Sequence, residues 1–155
     1  MKVSVPEIEA RSKAALIAHG AGDWQASEVA RAVARAEATG NVICGLYYLE
    51  SYCLQLTSGR VKGKVEPQVT TPRPGSVLSD ACFGFAQPAF SRALPQAVAA
   101  ARTNGVAMLA VAHAHTCTSL GYFTEQIAAE GLIGIGFTNA SAVVAPPGGH
   151  APALG

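Results

Sequence analysis

Val106 to Asn139 reads VAMLAVAHAHTCTSLGYFTEQIAAEGLIGIGFTN, and this stretch decides the fold class. It opens with an apolar run, Val106 to Ala112, whose length suits a buried strand. A polar cluster follows, His113-Ala114-His115-Thr116-Cys117-Thr118-Ser119. Next comes a helical period, with Leu120, Phe123, Ile127 and Ala128 on one face. Gly131 stops that helix, and Leu132 to Thr138 is expected as a second buried strand. Strand, helix and strand in this order predict a right-handed βαβ crossover in a parallel sheet. The polar cluster then lies at the carboxyl end of the first strand, where open α/β sheets bind their ligands.

Working outward, the residues before this stretch predict helices. Ser4-Val5-Pro6-Glu7 has the form of a capping box and opens a helix to about His19, with Ile8, Ala15 and Leu16 inward and Gly20 as its stop. A second helix starts near Asp23 or Trp24, with Ala26, Val29, Ala30, Val33, Ala34 and Ala38 on its stripe. A third covers about Gly45 to Thr57, with Leu46, Leu49, Cys53 and Leu56 inward. Arg60 to Gly75 is a polar connector with room for a short strand at Val65 to Thr70. Ser76 to Asp80 reads as a strand. The turn Phe83 to Pro88 then enters a helix to about Thr103, in which Pro95 predicts a kink or a later start. Asn104-Gly105 ends it. The expected architecture is α/β: a helical lobe with its connector over residues 1–75, then a partial mixed α/β sheet domain over 76–155.

Composition narrows the function classes. The chain has 155 residues, half of them hydrophobic and 14% charged, with a net charge of +1. Such a chain has enough residues to bury a core. Without a basic run it has no footprint for nucleic acid. No signal-peptide core and no membrane-spanning run stand out. The four cysteines, Cys44, Cys53, Cys82 and Cys117, show no CxxC spacing and read as free thiols in the cytoplasm.

Several residues are candidates for chemistry. His113, His115 and Cys117 alternate, so an extended segment would point all three the same way, as three zinc ligands would require. No fourth ligand stands at motif spacing, so no metal is assigned; a hydrogen-bonded loop without a ligand is the plain alternative. Thr116, Thr118 and Ser119 precede a helix whose free amides can hold a phosphate. Helix capping accounts for one of the three hydroxyls. Gly134-Ile135-Gly136 lacks the third glycine of a dinucleotide fingerprint and reads as a close-packing pair. Cys44 stands at the entrance to the third helix, where a helix N-terminus favours a thiolate; a small buried residue is the alternative. Tyr47 and Tyr48 can hydrogen-bond a ligand or pack with wet tips.

With these segments placed, the chain resembles the amino-terminal half of the malate/L-lactate/ureidoglycolate dehydrogenase family. That family includes the Δ1-piperideine-2-carboxylate/Δ1-pyrroline-2-carboxylate reductases. The resemblance rests on the helical lobe, FGFAQPAF, the stretch from Gly105 to Ser141, and the closing VAPPGGHAPALG. It implies a non-Rossmann fold, a homodimer, and an NADPH- or NADH-dependent reductase of a small 2-oxo acid or cyclic 2-imino acid. It implies cofactor contacts at His115, Thr116, Cys117, Thr118, Ser119 and Leu120. The family's Ser-His-Gly, whose histidine donates the proton, aligns with Ile43-Cys44-Gly45, which makes Cys44 the catalytic candidate. The family's substrate-binding arginine aligns with Tyr48, so Tyr48 and Tyr47 become the substrate contacts. The resemblance also implies a truncated chain, because the family continues past the final glycine with further cofactor contacts. A non-catalytic, oligomerising remnant is the alternative from another class, and a metal protein using His113, His115 and Cys117 is a third.

Overall fold

The computed structural model describes residues 3–142 and 145–153. Met1, Lys2, Val143, Val144, Leu154 and Gly155 lie outside the described residues, and with them parts of the closing segment used for the resemblance.

Helix α1 spans Val5–Ala18. The Ser4 hydroxyl accepts from the Glu7 amide at 3.3 Å, one half of the capping box. The other half is replaced by an ion pair, since the Glu7 carboxylate meets Arg11 at 2.6 Å. Leu16 is fully buried, Ile8 and Ala15 pack partly buried against the same cluster, and Gly20 leaves the helix at φ +105°. Helix α2 spans Asp23–Ala38 and is the centre of the molecule. The predicted stripe is buried from Ala26 to Ala34, but Ala32, Ala36, Gln25 and Glu28 are buried too. Two faces are covered because α1 packs on one side and Ala32 meets Phe90 and Phe123 on the other. Ala38, at the frayed end, is exposed.

A single 3₁₀ turn, Val42–Cys44, precedes helix α3, Leu46–Thr57. The inward residues of α3 are Tyr52, Cys53 and Leu56, with Leu49 half-buried and Leu46 exposed. The connector strand lies slightly later than expected, as β1, Gln68–Arg73. It pairs antiparallel with β2, Ser76–Asp80. Helix α4 spans Ala86–Asn104 and begins two residues early. Pro95 sits within it without ending it, and Gly105 closes it at φ +80°. Strand β3, Met108–Ala112, is parallel to β2, giving the sheet order β1-β2-β3. Helix α5 follows at Leu120–Ala129.

Several expectations fail here. The parallel crossover is β2-α4-β3, and the expected second strand at Leu132 to Thr138 forms no ladder. A strand needs a neighbour for its amides and carbonyls, and the described residues supply none beside this segment. It runs back along α5 instead. A Cβ on Gly134 would lie 3.1 Å from Ile127 and one on Gly136 3.3 Å from Thr124, so the glycines are indeed close-packing positions. Their alternating neighbours turn outward, with Ile133 95% and Phe137 89% exposed. Nor is β3 a buried strand. It is an edge, covered by α4 on the face of Leu109, with Met108 61% exposed. In α5 the buried pair is Tyr122 and Phe123, and Ala128 is exposed.

Candidate functional site

The carboxyl ends of β2 and β3 meet under the helical lobe, and the backbone there is unusual. Cys82, Phe83, His113 and Thr118 all have positive φ, between 48° and 66°. Such a conformation costs a non-glycine residue on the order of 1–3 kcal/mol. It persists because neighbours hold it. The Phe83 amide donates to the His113 carbonyl at 2.8 Å, and the His115 amide to the Gly84 carbonyl at 2.8 Å. The strands thus keep contact beyond their formal ends, through an isolated bridge from Phe85 to His115. Gly84 itself packs against the connector and its own turn: a Cβ there would meet Val65 at 2.8 Å and the Ala81 carbonyl at 2.9 Å.

The left-handed turn at His113 breaks the alternation expected of His113, His115 and Cys117. The His113 ring lies on Phe83 at 5.4 Å and its Nδ1 is 3.0 Å from Asp80 Oδ2. The Cys82 amide and His113 together hold the Asp80 carboxyl below its ordinary range. The His115 ring turns the other way, toward Tyr52 at 6.0 Å and Phe85 at 6.2 Å. Burial, with a smaller contribution from Arg60, lowers its pKa and favours the neutral ring. The Cys117 thiol is 3.7 Å from the Thr138 hydroxyl. Among the described residues no group of three His, Cys, Asp or Glu side chains is placed to hold a metal. The three candidate ligands therefore do not form the common edge that the metal alternative needs.

The hydroxyl-rich loop behaves differently from a simple cap. Ser119 occupies the N-cap of α5, yet no side-chain hydrogen bond closes that end. Its Oγ instead accepts from Asn41 Nδ2 at 3.4 Å, a residue of the helical lobe. Thr116 Oγ1 accepts from the Thr118 amide at 3.3 Å. Thr118 Oγ1 accepts from the Tyr52 hydroxyl at 3.2 Å and donates to the Cys117 carbonyl at 2.7 Å. All three hydroxyls are used to tie the loop together and to the lobe, so none is spent on capping. Leu120, the last cofactor candidate, is half-buried in the first turn of α5.

The remaining candidates lie on the lobe side. Cys44 ends the 3₁₀ turn and is half-buried, with its amide bonded to the Asn41 carbonyl at 3.0 Å. The Glu37 carboxylate accepts from the Leu46 amide at 2.7 Å and so caps α3 in place of a local residue. Gly45 makes this possible, because a Cβ there would sit 2.3 Å from Glu37 Oε1. Tyr48 packs edge-on against Tyr52 at 5.1 Å, and Tyr47 is 79% exposed. The structure thus links Tyr48, through Tyr52, to His115 and Thr118, while Tyr47 stands apart.

Three residues at this junction, Tyr52, Gln87 and Asn41, are absent from the candidates read from the sequence. Tyr52 was legible: Leu49, Tyr52, Cys53 and Leu56 follow helical spacing more closely than the set beginning at Leu46. Gln87 carried only a faint signal, a lone amide within the apolar FGFAQPAF turn. Asn41 carried none.

Comparison with known proteins accords with this architecture. The family model described as malate/L-lactate dehydrogenase matches residues 3–155. The chain is 34% identical over 155 residues to the Δ1-pyrroline-2-carboxylate/Δ1-piperideine-2-carboxylate reductase of Pseudomonas putida, covering all of this chain and 46% of that protein. It is 36% identical over 154 residues to the (2R)-3-sulfolactate dehydrogenase (NADP(+)) of Chromohalobacter salexigens, covering 99% of this chain and 46% of that one. The crystal structure of Δ1-piperideine-2-carboxylate reductase from Pseudomonas syringae pvar. tomato superimposes with a TM-score of 0.81 at 33% identity. That match covers 84% of this chain and 40% of the other. The chain therefore spans about half the length of the curated relatives it matches. The fold, with its helical lobe over a mixed sheet, and the match along the chain place this protein in the malate/L-lactate dehydrogenase family.

Proposed function

We propose that the chain forms the amino-terminal wall of an NAD(P)H-dependent reductase acting on a 2-oxo acid or a cyclic 2-imino acid such as Δ1-pyrroline-2-carboxylate. The observation that carries this reading is the junction of lobe and loop. Tyr52 to Thr118 and Asn41 to Ser119 bring the 3₁₀ turn with Cys44 and the loop 116–120 to one junction. The loop fits a dinucleotide, because the N-terminal amides of α5 have no side-chain cap, which leaves donors and the positive end of the helix dipole for an anion. His115, Thr116, Cys117, Thr118, Ser119 and Leu120 would line that side of the cofactor. When bound, the nicotinamide supplies the hydride to the substrate carbon. The Cys44 thiol, or a bound water, would donate the proton to the forming hydroxyl or amine, and solvent would restore it. Tyr48 and Tyr47 would donate hydrogen bonds to the substrate carboxylate, a neutral substitute for an arginine.

The relatives' names support the substrate class, and one of them names NADP(+). A cytoplasmic homodimer completes the reading, supported by free cysteines and by exposed apolar residues at the β3 edge and at Ile133 to Phe137. No helix among the described residues is long and apolar enough to cross a membrane.

The test is NADPH and NADH titration by fluorescence, followed by cofactor consumption with Δ1-pyrroline-2-carboxylate, pyruvate and oxaloacetate. Replacing Cys44 with Ala is expected to lower turnover at least roughly tenfold, since a positioned acid contributes on the order of 10² or more. Unchanged turnover removes Cys44 from the mechanism. A chain that folds but neither binds nor turns over supports the second reading, a non-catalytic oligomerising remnant. The exposed apolar outer face of 132–138 favours that alternative.

A further inference from the structure

The loop 116–120 is tied to the protein interior by a closed circuit of hydrogen bonds. Gln87 and Tyr52 are each only 1% exposed. Gln87 Nε2 donates to the Tyr52 hydroxyl at 3.1 Å and to the Cys117 carbonyl at 3.4 Å. The Tyr52 hydroxyl donates onward to Thr118 Oγ1, and Thr118 Oγ1 donates to the same Cys117 carbonyl. Every direction in this circuit is determined. A carbonyl only accepts, so the Gln87 amide must present its NH₂ to Cys117, and the Tyr52 hydroxyl must pass its proton to Thr118. Burial raises the Tyr52 pKa well above its ordinary range, so the phenol keeps the proton that the circuit requires.

The circuit closes on the one strained residue of the loop. Thr118 is β-branched and has φ +58°, a region that such residues rarely occupy. Its own amide is held by Thr116 Oγ1. Gln87 Oε1 is buried and has no hydrogen-bond partner among the described residues. An amide needed only to fill space would be replaced without loss by an apolar side chain.

We propose that Tyr52 and Gln87 are positioning residues that clamp loop 116–120, through Thr118, in the strained conformation that presents the start of α5 to a dinucleotide. The clamp reaches the loop from the helical lobe and from α4, so the cofactor wall is set by residues that never touch the cofactor. Its link to the cofactor rests on the function proposed above, whereas the clamp itself does not.

The experiment compares the intact chain with Tyr52→Phe, Thr118→Gly and their combination. Tyr52→Phe keeps the ring and removes only the hydroxyl. Hydrogen–deuterium exchange of residues 116–120 is expected to rise by about tenfold in Tyr52→Phe, as loss of a buried hydrogen bond implies. Glycine adopts positive φ without strain. Thr118→Gly also removes the hydroxyl that the Tyr52 phenol holds, so in that background Tyr52→Phe is expected to change exchange by less than about threefold. A purely space-filling Tyr52 gives no rise in the original chain, and a full tenfold rise that persists in the glycine background also overturns the clamp. Gln87→Met is expected to match Tyr52→Phe; if it fails to fold, Tyr52→Phe carries the test. In Tyr52→Phe and Gln87→Met, which leave every residue proposed to line the cofactor in place, the NADPH Kd is expected to rise with the exchange rate. A Kd that ignores the exchange overturns the positioning role. A chain that binds no NADPH at all sinks the cofactor reading alone, and the exchange arm then decides the clamp.

Discussion

Helix α2 and the segment 132–138 are both rich in small and apolar residues, yet they have opposite fates. In α2 even Gln25 and Glu28 are buried, because α1, α3, α4 and α5 surround it. In 132–138 the glycines lean on α5 while Ile133, Ile135 and Phe137 face outward. Hydrophobicity states what a segment can gain by burial; it does not supply the neighbour that buries it. The contrast also separates the two sides of the candidate site. The lobe side is held by packing from several directions, whereas the loop side depends on a few hydrogen bonds and on residues in strained conformations.

The contrast is most easily broken in the core. Leu16→Ala is expected to destabilise the protein by about 2–5 kcal/mol in urea unfolding, the usual range for a buried leucine. A loss below about 1 kcal/mol would show that the lobe is loosely packed. At the entrance to α3, Gly45→Ala drives a Cβ into the Glu37 carboxylate and displaces the cap. The expected cost is about 1 kcal/mol, typical of a lost helix cap, and Glu37→Ala in the same background should then add little. Full additivity of the two would refute the shared cap.

A smaller effect is expected from pH. The His115 pKa is depressed in the folded chain, so its neutral form contributes stability that is fully present above the unfolded value of about 6.5. That contribution is lost as pH falls through the folded value, where protonating the half-buried ring opposes folding. Urea midpoints measured from pH 7.5 to 5 should decline, and His115→Phe should flatten the decline. A slope unaffected by that change would place the titration elsewhere. The smallest effect belongs to the exposed segment: Ile133→Ala is expected to alter monomer stability by no more than about 0.5 kcal/mol, as for other surface positions. A larger loss, or a change of sedimentation with protein concentration, would show that this face is covered in solution.

Much of the fold was legible because local chemistry decides it. Ser4 starts a helix, Gly20 and Gly105 end two, and the buried spacing of Ala26, Val29, Ala30 and Val33 appears in the structure as read. The candidate site was legible in part. The loop from His115 to Leu120 does sit at the end of β3, but its hydroxyls bind Asn41, Tyr52 and Cys117 rather than cap α5. The shared direction of His113, His115 and Cys117 assumed an extended chain, and one positive φ at His113 undid it.

By itself the sequence determined the helices, most of their ends, the strands at 76–80 and near 106–112, and the family motifs, since each depends on residues a few positions apart. Only the tertiary structure decided which strands pair, that β2-α4-β3 is the crossover, and that Tyr52 reaches Thr118 across 66 positions of chain and Gln87 reaches Cys117 across 30. Those outcomes depend on which surfaces meet. A residue's partner across the fold is set by packing and backbone geometry summed over the whole chain, and no short stretch contains that information.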